Sequence, residues 1–197
     1  SEKPVALSVD EGLQILELAA QKGLKHGAVE DKMYAPGFLK MASLANEGFF
    51  GTIVGFKLDF GWWVFDGITA PSNRASWNYQ KKHGGGIFFD MFPHWRYVIE
   101  EIIGPIKSIV AAGWTAQKIR ADEGGGSYGV DVEDSGSVIV ELQDNVFGTI
   151  SSSWAQRVRG DDIVRFQIDG TLGSAVSGIR NCCVQSASKT PNITGFN

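Results

Sequence analysis

The chain has 197 residues, of which 43% are hydrophobic and 20% are charged, and its formal net charge is −4. This composition is typical of a folded globular protein and excludes an intrinsically disordered chain. The negative charge provides no electrostatic footprint for nucleic acid, and no apolar run approaches the roughly 20 residues that a membrane-spanning helix needs, so neither partner is expected.

The first predicted elements are a helix and a short strand. Ser8 and Glu11 form a capping box, apolar residues then recur at helical spacing, and Gly23 ends the run. Residues 24–29 are predicted as a short buried strand. A helix followed by a strand is typical of the last unit of an alternating α/β domain, which we expect for residues 1–30.

Two more helices flank one long strand. Pro36 opens a helix that Gly48 closes, and the alternation over residues 52–65 indicates a half-buried strand. A third helix ends at Gly104. Within it, Pro93 is tolerated in a first turn but would break an interior, so this helix is expected to begin near Asp90 or to be kinked there.

The remainder of the chain is predicted as strands joined by short turns. These strands cover residues 108–115, 137–142, 147–153, 163–169 and 174–179. Residues 120–130 are interpreted as a mobile glycine-rich loop, and residues 186–197 show no pattern. The predicted fold class is therefore α+β, an open and mainly antiparallel sheet with helices on one face, over residues 31–197.

The segment from Gly84 to His94 carries the strongest chemical signal. Its three glycines allow close backbone packing, and Asp90 and His94 follow with a spacing that places both on one helix face. A carboxylate that orients and polarises an imidazole forms a proton-transfer group that works near neutral pH. The alternative is an ordinary buried histidine bonded to Asp90, since such pairs are common on helices.

The sequence shows no place for a dinucleotide or a metal. The glycine-rich match Gly124–Gly129 is followed by acidic residues where phosphate would lie. His26 and His83 are far in sequence from other ligand types, so no metal site is predicted. Cys182 and Cys183 are adjacent and offer no disulfide framework, which favours a reducing, cytoplasmic setting.

An ordered set of motifs resembles one enzyme family. The set consists of Glu2-Lys3-Pro4, the capped helix, Asp31-Lys32, Pro36-Gly37, Gly48-Phe49-Phe50-Gly51, Ser76-Trp77-Asn78-Tyr79, Gly84-Gly85-Gly86 and Asp90-Met91-Phe92-Pro93-His94. Together these motifs resemble the glucose–fructose oxidoreductase / inositol dehydrogenase / MocA family (Gfo/Idh/MocA), which comprises NAD(P)-dependent sugar and cyclitol dehydrogenases.

The resemblance implies that this chain is one part of a two-domain enzyme. A Rossmann domain would come first and bind NAD or NADP. A second domain with a large open antiparallel sheet would carry the sugar or cyclitol site and form a homo-oligomer through its sheet face. Because the family's Glu-Lys-Pro lies near the end of the Rossmann domain, we expect the chain to lack the nucleotide-binding half. We also expect it to stop before the family's final helices, to bind no nucleotide and to be inactive alone.

The resemblance also implies roles for individual residues. His94 would accept the proton of the substrate hydroxyl, Asp90 would orient the imidazole or bond the sugar, and Lys3 would contact the hydroxyl close to the cofactor. The predicted sugar-binding residues are Asp31, Lys32, Arg74, Trp77, Asn78 and Tyr79.

Purely structural alternatives exist for several of these roles. The aromatic cluster at residues 74–79 is also interpreted as a loop whose rings pack on the sheet, and Asp31 and Lys32 as an exposed ion pair. For the whole chain, the alternative is a stand-alone carbohydrate-binding or oligomerisation module without catalysis. Lys3, Asp90 and His94 argue against it, because a scaffold has no use for a proton acceptor.

Overall fold

Four α-helices and nine strands follow one another along residues 1–157 and 162–192, the part of the chain that this computed structural model describes. The helices are α1 (Val9–Gln21), α2 (Pro36–Asn46), α3 (Ile87–Asp90) and α4 (Phe92–Ile102). The strands are β1 (Ile53–Gly61), β2 (Ile106–Trp114), β3 (Ile119–Ala121), β4 (Ser127–Gly129), β5 (Ser135–Leu142), β6 (Phe147–Ser153), β7 (Val164–Gly170), β8 (Gly173–Ser177) and β9 (Cys182–Ser186).

Seven of these strands form one sheet in the order β2-β5-β6-β1-β7-β8-β9. Its pairs are antiparallel except β1 with β6, which is parallel, so the predicted mainly antiparallel sheet is confirmed. The strands do not follow chain order across the sheet, because β1 lies at its centre. There it is covered on both edges, and its side chains Phe56, Leu58 and Phe60 are at most 5% exposed.

Helices α2, α3 and α4 pack on one face of this sheet. In α4 the side chains of Trp95, Val98 and Ile99 are at most 1% exposed, and the Trp95 indole N–H donates to Ser152 Oγ on β6 at 2.8 Å. On α2, the Phe38 ring meets Phe166 of β7 edge to face at 6.0 Å. These contacts fix α4, and with it His94, above the middle of the sheet.

The three glycines let the chain turn into α3 at backbone contact with its neighbours. The Gly86 N–H donates to the Asn78 carbonyl at 2.9 Å, and Gly86 has φ +115°. A Cβ on Gly85 would lie 2.6 Å from the same carbonyl oxygen. Two helices follow rather than one, because α3 ends at Asp90 and α4 begins at Phe92, with Pro93 in its first turn, where a missing N–H costs little.

Three short segments differ from their predictions. Residues 24–29 form no strand. Apart from one hydrogen bond back to α1, their backbone is hydrogen-bonded only to Ser1, and a single residue cannot form the ladder of a β-sheet. The glycine-rich residues 120–130 contain the paired strands β3 and β4, and Asp122 Oδ1 holds their turn by accepting two backbone N–H groups. Strand β9 was not predicted, because β-branched residues are scarce in it.

Residues 193–197, the end of the tail that shows no pattern in the sequence, lie outside the described residues. Within the described ranges, no helix has the length and apolar character needed to cross a bilayer.

Candidate active site

The candidate site lies where the N-terminal segment crosses the junction of α3 and α4. Lys3 Nζ is 2.8 Å from Asp90 Oδ1 and also donates to the backbone carbonyl of Asp90. Because α3 stops at Asp90, this residue presents both its carboxylate and its carbonyl to one ammonium. The fold thus brings Lys3 and Asp90 together, although 87 positions separate them in the sequence.

Asp90 holds two cations with its two carboxylate oxygens. Oδ1 pairs with Lys3, and Oδ2 accepts from Arg74 Nη2 at 2.9 Å; only 23% of the Asp90 side chain is exposed. Burial alone would raise the pKa of Asp90, but the positive charges of Arg74 and Lys3 outweigh burial and lower this pKa below its ordinary value. Asp90 is therefore ionised at neutral pH and anchors both cations.

His94 has a different acidic partner from the one predicted. Its Nδ1 lies 2.6 Å from Glu30 Oε1, and the two side chains are 8% and 6% exposed. The expected orientation of the imidazole by Asp90 is wrong, because the helix is interrupted at Met91 and both Asp90 oxygens are already occupied. Glu30 was not predicted as a site residue. The signal in the sequence that could have pointed to it is its position immediately before the Asp31-Lys32 motif.

The surroundings of His94 favour a neutral imidazole. Burial lowers its pKa most strongly, the hydrogen bond to Glu30 raises it in part, and the Lys3 ammonium lowers it again. The net result is a pKa below the usual 6.5. At neutral pH the ring is therefore unprotonated on one nitrogen and able to accept a proton.

Arg74 is fixed by aromatic rings and by an amide. Its guanidinium lies 4.4 Å from the Trp154 ring and 5.5 Å from the Trp62 ring, and Nη2 also donates to Asn78 Oδ1. Asn78 is buried, and its own Nδ2 donates to the Ala75 carbonyl at 3.0 Å. Arg74 thus contacts Asp90, whereas Asn78 supports the Arg74 guanidinium from the other side; sugar binding by either residue stays a prediction.

Tyr79 does not line the site, so its prediction as a sugar contact is wrong. It is 1% exposed, packs on the Trp154 ring at 5.2 Å and is covered by Arg120 at 3.8 Å. The short 3-10 helix Ser76–Tyr79 turns this ring into the core, as the alternative interpretation expects, and leaves Trp77 51% exposed.

Asp31 and Lys32 form the ion pair that the alternative interpretation expects, and their sugar-binding role stays a prediction. They form an ion pair of 2.7 Å, and the Asp31 side chain is 66% exposed. Asp31 Oδ1 also lies 4.0 Å from His94 Nδ1, which places the pair at the edge of the site.

The same acidic residues raise the question of a metal ion. Glu30, Asp31 and His94 each offer a ligand atom, and these atoms lie within 4.8 Å of one another. The 2.6 Å contact between Nδ1 and Oε1 fits a hydrogen bond better than two ligands around one ion. The ammonium groups of Lys3 and Lys32 also act on His94 and oppose a further cation.

A groove of about 830 Å³ opens beside Lys3, between α4 and the β2 end of the sheet. Lys3 and Pro93 line one side of it, and Ile109 and Val138 line the other. Its volume is suitable for a small organic ligand. Because neither Asp90 nor His94 lines it, we treat it as a neighbouring groove rather than as the reaction site.

Comparison with known proteins adds independent information. The family model of the GFO/IDH/MocA C-terminal domain matches residues 38–176. A D-xylose dehydrogenase of Paenarthrobacter nicotinovorans is 45% identical over 195 residues, which are 97% of this chain and 50% of that protein. An uncharacterized oxidoreductase of Synechocystis sp. is 26% identical over 91% of this chain and 48% of its own length. The chain spans about half the length of the curated relatives it matches.

Solved structures share the fold. The apo form of levoglucosan dehydrogenase is 22% identical, with a TM-score of 0.83 over 100% of this chain and 53% of its own. Its complex with NADH and L-sorbose gives a TM-score of 0.81 at 22% identity over 100% and 52% of the two chains. An NAD binding oxidoreductase of Klebsiella pneumoniae gives 0.78 at 22% identity over 94% and 49%. At these identities the likeness establishes the fold alone.

Proposed function

The chain belongs to the Gfo/Idh/MocA family, and on this premise we propose that it is the substrate-domain part of an NAD(P)-dependent dehydrogenase. The proposed reaction is the oxidation of a secondary hydroxyl of a sugar, glycoside or cyclitol. The observation that carries the proposal is the ammonium–carboxylate pair of Lys3 and Asp90 on the same helix junction as a neutral, buried His94. The names of the relatives, D-xylose dehydrogenase and levoglucosan dehydrogenase, support a sugar as the substrate.

The chain's own residues divide the chemistry of alcohol oxidation. His94 would take the hydroxyl proton, because its imidazole is neutral at the working pH. Lys3 would stabilise the negative charge that develops on the carbinol oxygen, and Asp90 would hold that ammonium in place. A nicotinamide ring would supply the acceptor for the hydride.

The described residues do not fit the phosphates of a dinucleotide. The only match to the glycine motif in the sequence, Gly124–Gly129, lies in the β3–β4 hairpin rather than between a strand and a helix. The Asp122 carboxylate occupies the N–H groups of Gly124 and Gly126, which a phosphate would need. We therefore assign the binding of NAD or NADP to the other half of the enzyme.

We expect this chain alone to bind NADH with an affinity weaker than micromolar. The measurement is a titration of NADH fluorescence with the purified chain, alongside the whole enzyme as the control. Micromolar binding by the chain alone would contradict the assignment of the cofactor to the other half.

The exposed apolar side of α1 supports the proposal that residues 1–30 belong to the dinucleotide-binding domain. Val9, Leu13 and Leu16 lie on one face of α1 and are 78%, 53% and 43% exposed. Apolar side chains that protrude together from one helix normally pack against another structural unit. The preceding domain of the enzyme is the natural candidate for that unit.

We also propose that the sheet face remote from the helices joins copies of the enzyme. Val110, Ile139 and Phe147 on adjacent strands are 71%, 54% and 54% exposed, and Val110 pairs directly with Ile139. Such a surface favours association with a second copy. Light scattering of the whole enzyme should show a dimer or a larger assembly, which Phe147→Lys should weaken; a monomeric wild-type enzyme would refute the proposal.

A further inference from the structure

Glu30 is a buried carboxylate with an unusual set of hydrogen bonds. Its Oε1 accepts from the Lys32 backbone N–H at 3.1 Å and lies 2.6 Å from His94 Nδ1. Its Oε2 is buried and has no hydrogen-bond partner among the described residues. Burying a carboxylate with one unpaired oxygen costs free energy of folding. A functional contact between Glu30 and the His94 imidazole would explain why a carboxylate is buried at this position.

We propose that Glu30 is the positioning residue of His94: it holds the imidazole with the proton on Nδ1 and leaves Nε2 free to accept the proton of the substrate hydroxyl. The inference rests on the proposed dehydrogenase function. A carboxylate oxygen only accepts hydrogen bonds, so the ring nitrogen that contacts it must carry the proton.

The proton balance of the reaction follows from this arrangement. The O–H bond of the substrate breaks, its proton forms an N–H bond at His94 Nε2, and the carbinol hydride goes to the nicotinamide. The imidazolium that results is then paired with Glu30 at hydrogen-bond distance. Asp90 cannot take this part, because Lys3 and Arg74 occupy its carboxylate.

The other charges around the imidazole do not replace Glu30. Asp31 Oδ1 lies 4.0 Å from Nδ1 and is neutralised by Lys32, and the ammonium groups of Lys3 and Lys32 disfavour imidazolium. Glu30 is thus the one acid among these groups that is in hydrogen-bond contact with the ring.

Two substitutions separate the orientation of the ring from its charge. In Glu30→Gln the Lys32 N–H should keep the amide oxygen at the Oε1 position, so the tautomer of His94 is retained while the negative charge is lost. In Glu30→Ala both are lost. Glu100→Gln is the control, because it also replaces a carboxylate by an amide. Glu100 lies on α4, the helix that carries His94, and it pairs with Arg96.

The first readout is ¹⁵N NMR of the imidazole rings in this chain, with the His94 signals assigned by their loss in His94→Gln. We expect Nδ1-protonated His94 in the wild type, in Glu30→Gln and in Glu100→Gln, and mixed tautomers in Glu30→Ala. Proton on Nε2 in the folded wild type would overturn the proposal. Glu30→Gln, which is isosteric, keeps the test decisive if Glu30→Ala does not fold.

The second readout is the pH profile of kcat for the whole enzyme. Glu30→Gln should shift the acid limb to lower pH, because the charge that favours imidazolium is gone, and should lower kcat by about 10-fold; Glu30→Ala should lower it by about 100-fold. An unchanged acid limb and kcat in Glu30→Gln would overturn the positioning role. Failure of the dehydrogenase proposal is distinguishable, since the wild-type whole enzyme would then form no NADH or NADPH with any sugar or cyclitol, whatever the NMR result.

Discussion

His94→Ala in the whole enzyme is expected to lower kcat for sugar oxidation by about 10²–10⁴-fold, the usual span for loss of a general base. His94 is the proton acceptor in the proposed reaction, and its neutral form is favoured by burial. The measurement is the initial rate of NADH formation under saturating sugar and NAD, or of NADPH formation with NADP.

His83→Ala is the matched control, because His83 is exposed and lies in a short 3-10 helix outside the site. Its rate should equal that of the wild type. Unchanged turnover in His94→Ala would remove this residue from the mechanism and, with it, the proposed roles of its neighbours.

The pH dependence of the wild-type enzyme should reflect the same group. His94 must be neutral to accept a proton, so activity should be full above its pKa and lost as the pH falls through it. Because burial and Lys3 lower this pKa, the acid limb should lie below pH 6.5, the usual value for histidine. An acid limb well above that value would contradict the environment described for His94.

Lys3→Met in the whole enzyme is expected to lower kcat by about 10²–10³-fold, the scale found when one group that stabilises a developing oxyanion is removed. The Lys3 side chain is only 12% exposed, and its ammonium is held by Asp90, which makes it a preorganised positive charge. Methionine keeps the approximate length of the side chain and removes the charge. The measurement is kcat and KM from the same initial-rate assay.

Lys107→Met is the control for the loss of a salt-bridged lysine, since Lys107 pairs with Glu141 at 2.6 Å on exposed strands. It should leave kcat unchanged. An increase in KM with unchanged kcat for Lys3→Met would show that Lys3 binds the substrate equally in the ground state and the transition state, against the role proposed here.

Local signals predicted the helices well. Ser8 caps α1 by accepting from the Glu11 N–H at 3.2 Å, and Pro36 opens α2, as their positions in the sequence indicate. Such caps act over three or four residues, so a sequence displays them directly. Alternation located β1 for the same reason, whereas the central position of β1 in the sheet depends on contacts between distant segments.

The sequence identified only part of the site: it did not point to Glu30, and it placed Tyr79 there although this ring lies in the core. Asp90 and His94 were singled out by their spacing after the three glycines and Lys3 by the family resemblance, and the structure brings Lys3 to Asp90. The partner of His94 could not be derived, because Glu30 lies 64 positions away and meets the imidazole only through the tertiary fold. The inward turn of Tyr79 likewise depends on the core that Trp154 provides.

The most direct test is an experimental structure of the whole enzyme with NADH and a sugar substrate. The account predicts a carbinol oxygen within hydrogen-bond distance, about 3 Å, of both Lys3 Nζ and His94 Nε2, with Glu30 on Nδ1. A sugar bound elsewhere, or one whose reacting hydroxyl touches neither group, would contradict it.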